Sequence, residues 1–217
     1  MVYGFEGDDI ITGNGGTNRL FGDGGDDLII LANTPTRIGD AIPGSFSSPS
    51  TGNGGATSYA SGGSGNDHII GTQSADIISA GPGHDYVETA RGDDYVDLGD
   101  GDDYVWVSFG ENEVFGGKGD DTILVRGNTS DGNDLHGGEG NDNITGMNGP
   151  DDIYGDEGDD ILDGDDGDDE IWGGDGDDTM FGGNANGDNF TDVLKGGRGN
   201  DLMYAGDFRW NGGNSNN

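Results

Sequence analysis

Gly116–Leu124 reads GGKGDDTIL, and Gly137–Thr145 reads GGEGNDNIT. Both have the form Gly-Gly-x-Gly-x-Asp-x-(Ile/Val/Leu)-x. The same phase recurs at Gly62–Ile70 (GGSGNDHII), Gly173–Phe181 (GGDGDDTMF) and Gly196–Tyr204 (GGRGNDLMY). Outward from these copies, units run through Gly4–Thr12, Gly13–Phe21 and Gly22–Ile30, break at Leu31 and return at Gly62. A small insertion near Val125–Gly127 and a slip around Gly182–Asn186 are the other interruptions. Counting the degenerate Asn53–Ser61, the chain holds about nineteen units at a fixed short period, the signature of a repeat architecture.

Each unit divides into a turn and a short strand. The glycines permit positive backbone dihedrals and close approach to a ligand. The closing triplet is β-prone and alternates outward, inward, outward. At the inward position stand Ile11, Leu20, Ile29, Ile69, Ile78, Val87, Val96, Val105, Val114, Ile123, Leu135, Ile144, Ile153, Leu162, Ile171, Met180, Leu194 and Met203, every one aliphatic or Met. A disordered Gly/Asp-rich chain has no reason to keep its apolar residues in phase.

That phase outweighs the composition. The chain has 217 residues with 49 Gly, no Cys, and 44 acidic against 8 basic side chains, for a formal charge of −36. A hydrophobic content of 29% with such acidity ordinarily argues for disorder. A solenoid manages with a thin core, because each unit buries its apolar side chain against its neighbours. The charge disfavours nucleic acid and anionic membranes and favours cations. Absence of Cys excludes a disulfide framework and thiolate zinc sites. No apolar stretch is long enough to cross a bilayer as a helix. The opening MVYGFEGDD lacks the basic region and hydrophobic run of a cleaved secretory signal, so export is expected by another route or from a processed chain.

The sixth position carries Asp9, Asp27, Asp67, Asp76, Asp85, Asp94, Asp103, Asp121, Asp142, Asp151, Asp160, Asp169, Asp178, Asp192 and Asp201. Stacking would bring equivalent carboxylates from units i and i+2 within several ångströms. Two unit charges ~5 Å apart repel by about 3 kcal/mol at an effective dielectric of ~20. Repeated along both edges, this exceeds a typical folding stability of ~5–15 kcal/mol. A cation between them resolves the conflict. Calcium suits, because it accepts six to eight oxygen ligands in flexible geometry, carbonyls included, whereas magnesium prefers a tighter octahedron and keeps water. One such Asp would be explained by local turn capping; so many in phase are not. Asn18, Asn112 and Asn133 replace Asp, and Thr17, Ser74 and Glu111 disturb their turns, so those sites are expected to be weaker or empty, as is that of Ser58.

The nonapeptide resembles the RTX (haemolysin-type) calcium-binding repeat, and the resemblance covers most of the chain. It implies an all-β fold, a right-handed parallel β-roll (β-solenoid) with two nonapeptides per coil. It also implies multiple Ca2+ ions bridging successive turns on each edge, held by Asp side chains and glycine-turn carbonyls, roughly fifteen to seventeen in all. Strands ~4.8 Å apart would stack nine or ten coils into a rod roughly 45 Å long. Residues 1–30 are expected to form the first repeats, 31–61 a Ser/Thr/Pro/Gly-rich insertion or degenerate repeat, 62–204 the main roll and 205–217 a tail or cap containing Phe208 and Trp210. Leu31–Ala60 reads as a loop bulging from one coil rather than a linker between two rolls.

If units alternate between two sheets, one outer face carries Ile10, Leu28, Ile30, Ile70, Tyr86, Tyr104, Trp106 and Leu124. Contiguous exposed apolar surface marks an interaction site, unless the Leu31–Ala60 loop covers it. His68, His84 and His136 are scattered outside any His-Glu-x-x-His pattern, and neither a Gly-x-Ser-x-Gly elbow nor a phosphate-binding loop is present. A non-enzymatic, extracellular or cell-surface calcium-binding protein with a structural role is the expectation: a surface-layer, matrix or filament subunit that folds on calcium binding. Self-association end to end or through the apolar face would serve it. The alternative is the calcium-triggered RTX region of a larger type I-secreted hydrolase or toxin. Ice or carbohydrate binding is disfavoured, because outward positions mix Thr, Tyr, Asp, Trp and Phe rather than forming one ladder.

Overall fold

The closing triplets become strands because alternation buries one side chain of each against the facing sheet. The computed structural model describes residues 1–13, 17–31, 57–127, 130–183 and 191–205. Among these, twenty strands and no helix occur, in two ten-stranded sheets. The sheet of longer strands holds β1 Val2–Glu6, β3 Arg19–Gly24, β5 Ser58–Ser64, β7 Asp76–Pro82, β9 Tyr95–Asp100, β11 Glu113–Lys118, β13 Asp134–Glu139, β15 Asp152–Glu157, β17 Glu170–Asp175 and β19 Val193–Arg198. The sheet of shorter strands holds β2 Ile10–Thr12, β4 Leu28–Ile30, β6 His68–Ile70, β8 Tyr86–Glu88, β10 Tyr104–Val107, β12 Thr122–Val125, β14 Asn143–Thr145, β16 Ile161–Asp163, β18 Thr179–Phe181 and β20 Leu202–Tyr204. Every strand pairs in parallel with the strand one coil away, and odd and even strands never mix. The fold is therefore a parallel β-solenoid with two nonapeptides per coil.

The inward residues expected from the sequence form the core. They are buried except in the last coil, where Leu194 is partly buried and Met203 is 48% exposed. Ala60 takes the inward place in the degenerate unit. A second inward row went unread in the sequence. The first repeat position also faces inward, and where Gly gives way to Ala80, Leu98, Val107 and Val125 those side chains are buried too. The central coils thus carry the thickest apolar core.

One boundary shifts. β5 starts at Ser58 and pairs with β3 and β7, so Ser58–Ala60 are strand rather than loop. The small Ser58 and Ala60 fit the turn and core positions of a coil that lacks the motif. Because β3 pairs with β5 and β4 with β6, both sheets continue past the insertion. Residues 32–56 and the tail containing Phe208 and Trp210 lie outside the described residues. The eight apolar outward residues do share the shorter-strand sheet. Ile10 is 58% exposed, Ile30 is buried, and the others are half-buried. On the other sheet, Phe115, His136, Tyr154 and Trp172 stack at centroid spacings of 4.9, 4.4 and 4.4 Å, one ring per coil.

Candidate metal rims

Turns leading from a long strand to a short one gather on one edge of the roll, and turns leading back gather on the other. The first edge carries ten aspartates in one column: Asp9, Asp27, Asp67, Asp85, Asp103, Asp121, Asp142, Asp160, Asp178 and Asp201, each just before a short strand. The backbone N–H of each donates to Oδ1 of the next, at 2.6–3.2 Å, in nine unbroken links. This ladder satisfies one carboxylate oxygen. The other, Oδ2, is buried without a hydrogen-bond partner in every one of these residues except Asp201.

Those orphaned oxygens face other oxygens. A methyl placed on Gly4 would lie 2.5 Å from Asp9 Oδ2 and 2.7 Å from the Gly22 carbonyl oxygen. At Gly22, Gly62, Gly155 and Gly173 a methyl would meet the same pair, the unit's own Asp Oδ2 and a carbonyl of the next coil. Carboxylate and carbonyl oxygens thus converge with no protein donor between them, and a buried acceptor left unmet costs about 1–3 kcal/mol, more when charged. The donor set is all oxygen, hard, and mixed between side chain and backbone, which fits calcium. Among the described residues no three His, Asp or Glu side chains converge on one point. Side chains alone therefore make no site, and the carbonyls exposed by the glycine turns must complete one.

Electrostatics tell the same story. Burial pushes the carboxyls up, to about 6 for Asp67, Asp103 and Asp142, about 7 for Asp85 and Asp160, and about 8 for Asp121. At Asp121 the neighbouring Asp103 and Asp142 add to the effect of burial. Without a cation, burial favours the protonated form of these carboxyls.

The second rim differs. Its column reads Asn18, Ser58, Asp76, Asp94, Asn112, Asn133, Asp151, Asp169, Asp192. Orphaned Oδ2 atoms occur only at Asp94, Asp151 and Asp169. Asp76 is met from its own turn: Thr72 donates its N–H to Oδ2 at 2.6 Å and its hydroxyl to Oδ1 at 3.0 Å. Asp94, Asp151 and Asp169 are nonetheless pushed up by burial, to about 7, 8 and 7. Steps that pair two aspartates number nine on the first rim and three on the second.

All fifteen aspartates singled out by the sequence sit in one of the two columns, ten and five. What sequence reasoning missed was their sorting. Every non-Asp residue and every insertion falls on the second rim, the insertions between β4 and β5, β12 and β13, and β18 and β19. Separating odd from even units would have revealed it.

A solenoid whose edges are lined by buried, unpartnered carboxylate oxygens is a metal-binding β-roll. The model of the RTX calcium-binding nonapeptide repeat matches residues 3–33, 61–96, 88–123, 128–162, 136–171, 154–187 and 186–207. The chain belongs to that family, and its repeats are calcium-binding β-roll repeats. No curated protein matches it.

Proposed function

We propose that this chain is an extracellular calcium-binding β-roll with a structural role, a surface-layer, matrix or filament subunit that folds as calcium fills its rims. The observation that carries the reading is the first rim's column of orphaned Oδ2 atoms, unbroken from Asp9 to Asp178. Within each unit the work is divided. Asp Oδ1 holds the next coil through a backbone N–H, while Asp Oδ2 and the glycine-turn carbonyls hold the ion. Calcium supplies the positive charge that lets those carboxylates ionise while buried. The apolar rows are too thin to offset the conformational entropy of ordering so glycine-rich a chain. Metal binding and folding are then one process.

Extracellular calcium modules bind at ~10⁻⁴–10⁻³ M, so such sites are empty in a calcium-poor cytosol and filled outside. Matched repeats spanning most of the chain support a structural role over a catalytic one. The half-buried apolar residues of the shorter-strand sheet and the edges of the terminal coils offer surfaces for self-association.

Circular dichroism in chelator, followed by calcium titration, tests the folding claim. A disordered spectrum that converts to strand near millimolar calcium is the expected result; a complete strand signal in chelator would overturn it. Electron microscopy in millimolar calcium tests the role. Ordered fibres are expected, and uniform monomers would favour a module of a larger secreted protein.

A further inference from the structure

Asn112 and Asn133 do more than weaken a calcium site. In the first-rim aspartates from Asp27 to Asp201, Oδ1 accepts the N–H of the preceding coil and Oδ2 is the second oxygen. Asn112 keeps the first contact, its Oδ1 accepting the Asp94 N–H at 3.2 Å, and that donor fixes which way the amide points. Nδ2 therefore stands where Oδ2 stands in the aspartate units. From there it donates to the carbonyls of Ser108 (3.2 Å) and Gly110 (3.1 Å) and to Asn133 Oδ1 (2.9 Å). Asn133 keeps the coil-to-coil contacts one coil on: its Oδ1 accepts the Asn112 N–H at 3.2 Å and its Nδ2 donates to Asp151 Oδ1 at 2.8 Å.

The reversal of polarity is the point. Elsewhere an oxygen faces turn carbonyls and needs a cation between them; at Asn112 the N–H groups face the carbonyls, and at Asn133 they face the carboxylate of the next coil. Both asparagines are buried, and neither amide has an unmet polar atom. The inward row is also filled here, by buried Val107 and Val125, where the Asp151 and Asp169 units have Gly146 and Gly164.

We infer that Asn112 and Asn133 form an amide clasp that replaces calcium on the second rim from Asn112 to Asp151. The clasp closes two successive coil junctions without an ion, Asn112 to Asn133 and Asn133 to Asp151, while the first rim opposite them remains metal-dependent. This rests on the calcium reading above and assigns which positions of that reading take no ion. The roll thereby has one seam whose geometry does not vary with calcium concentration.

Calcium content per folded chain, measured by atomic emission after dialysis against millimolar calcium, tests it. Asn112→Asp with Asn133→Asp restores the missing carboxylates, and the expected result is a gain of about two ions over the wild-type chain. An unchanged or lower content in a folded double variant would overturn the clasp. Asn112→Ala provides the second arm, which does not depend on that variant folding. It removes the amide without adding a carboxylate, so calcium content should stay constant while the melting temperature in calcium falls. Loss of an ion in Asn112→Ala would show that Asn112 had been a ligand and would overturn the clasp. A wild-type chain free of calcium would remove the clasp and the underlying reading together.

Discussion

The two rims are built from the same nonapeptide, yet they have diverged. The first repeats Asp at all ten of its junction positions and keeps its turns at one length. The second has no more than three aspartates in succession and absorbs all the insertions, including the long one between β4 and β5. A rim whose turns supply carbonyl ligands cannot lengthen without moving them, because an ion fixes its oxygens to within a few tenths of an ångström. Where side chains of the turn itself meet the polar atoms, as Thr72 does for Asp76 and the asparagines do for each other, length and composition can vary. One edge keeps its aspartates and its turn length throughout; the other varies in both.

The largest expected difference lies between equivalent substitutions on the two rims. Asp121→Asn alters two junctions, with Asp103 and with Asp142, each of which pairs aspartates. Asp151→Asn alters only the junction with Asp169, because its other neighbour is already Asn133. The first should lose about two ions and the second about one, with a correspondingly larger rise in the calcium midpoint for Asp121→Asn. Titration calorimetry of both variants gives the counts; equal losses would erase the distinction between rims.

A backbone substitution sharpens the comparison at smaller scale. Gly119, in a first-rim turn, has φ +119°, and a methyl there would collide with the Gly101 carbonyl. Gly119→Ala should cost about 1–3 kcal/mol through strain and clash, read as a lower melting temperature in saturating calcium. A wild-type melting temperature would mean that the turn can relax and that its length is not constrained as argued.

The smallest effect is that of pH. An unfolded aspartate titrates near ~3.9, whereas the buried, metal-free rim carboxyls stand at about 6 for Asp103 and about 8 for Asp121. Between about pH 4 and pH 8 the metal-free fold therefore binds more protons than the unfolded chain, and rising pH through that window removes its stability. Calcium needs the ionised carboxylates, so the bound fold gains over the metal-free fold across the same window. Because the calcium-free chain is unfolded and its aspartates titrate near ~3.9, calcium midpoints by circular dichroism should hold nearly constant from pH 6 to 8 and rise as pH falls toward about 4. A midpoint that falls strongly between pH 6 and 8 would show that a folded, protonated metal-free rim is populated and would contradict coupled folding.

Much of this was legible in the chain itself. Inward Ile, Val and Leu at the eighth position were readable because strand alternation is a local property, set within a few residues. The carboxylates of the sixth position were readable because a nine-residue period repeats them. The second inward row was not, because Leu98, Val107 and Val125 stand where the motif prescribes Gly, and nothing local shows that this position faces the core. Nor were the hydrogen bonds that meet Asp76 readable, since the sequence shows only that Ser74 disturbs that turn and gives Thr72 no role.

What the sequence determined was periodicity: strands, their inward residues, and an acidic side chain once per unit. What the tertiary structure decided was adjacency. Partners along the first rim lie 18 residues apart where coils are regular, but 40, 21 and 23 apart across the insertions. Closure of two units into one coil sorts the aspartates onto separate edges, and parallel pairing then brings each Oδ2 to its neighbour's carbonyl. Local dihedrals fix which way a side chain points; only long-range hydrogen bonding fixes what it points at.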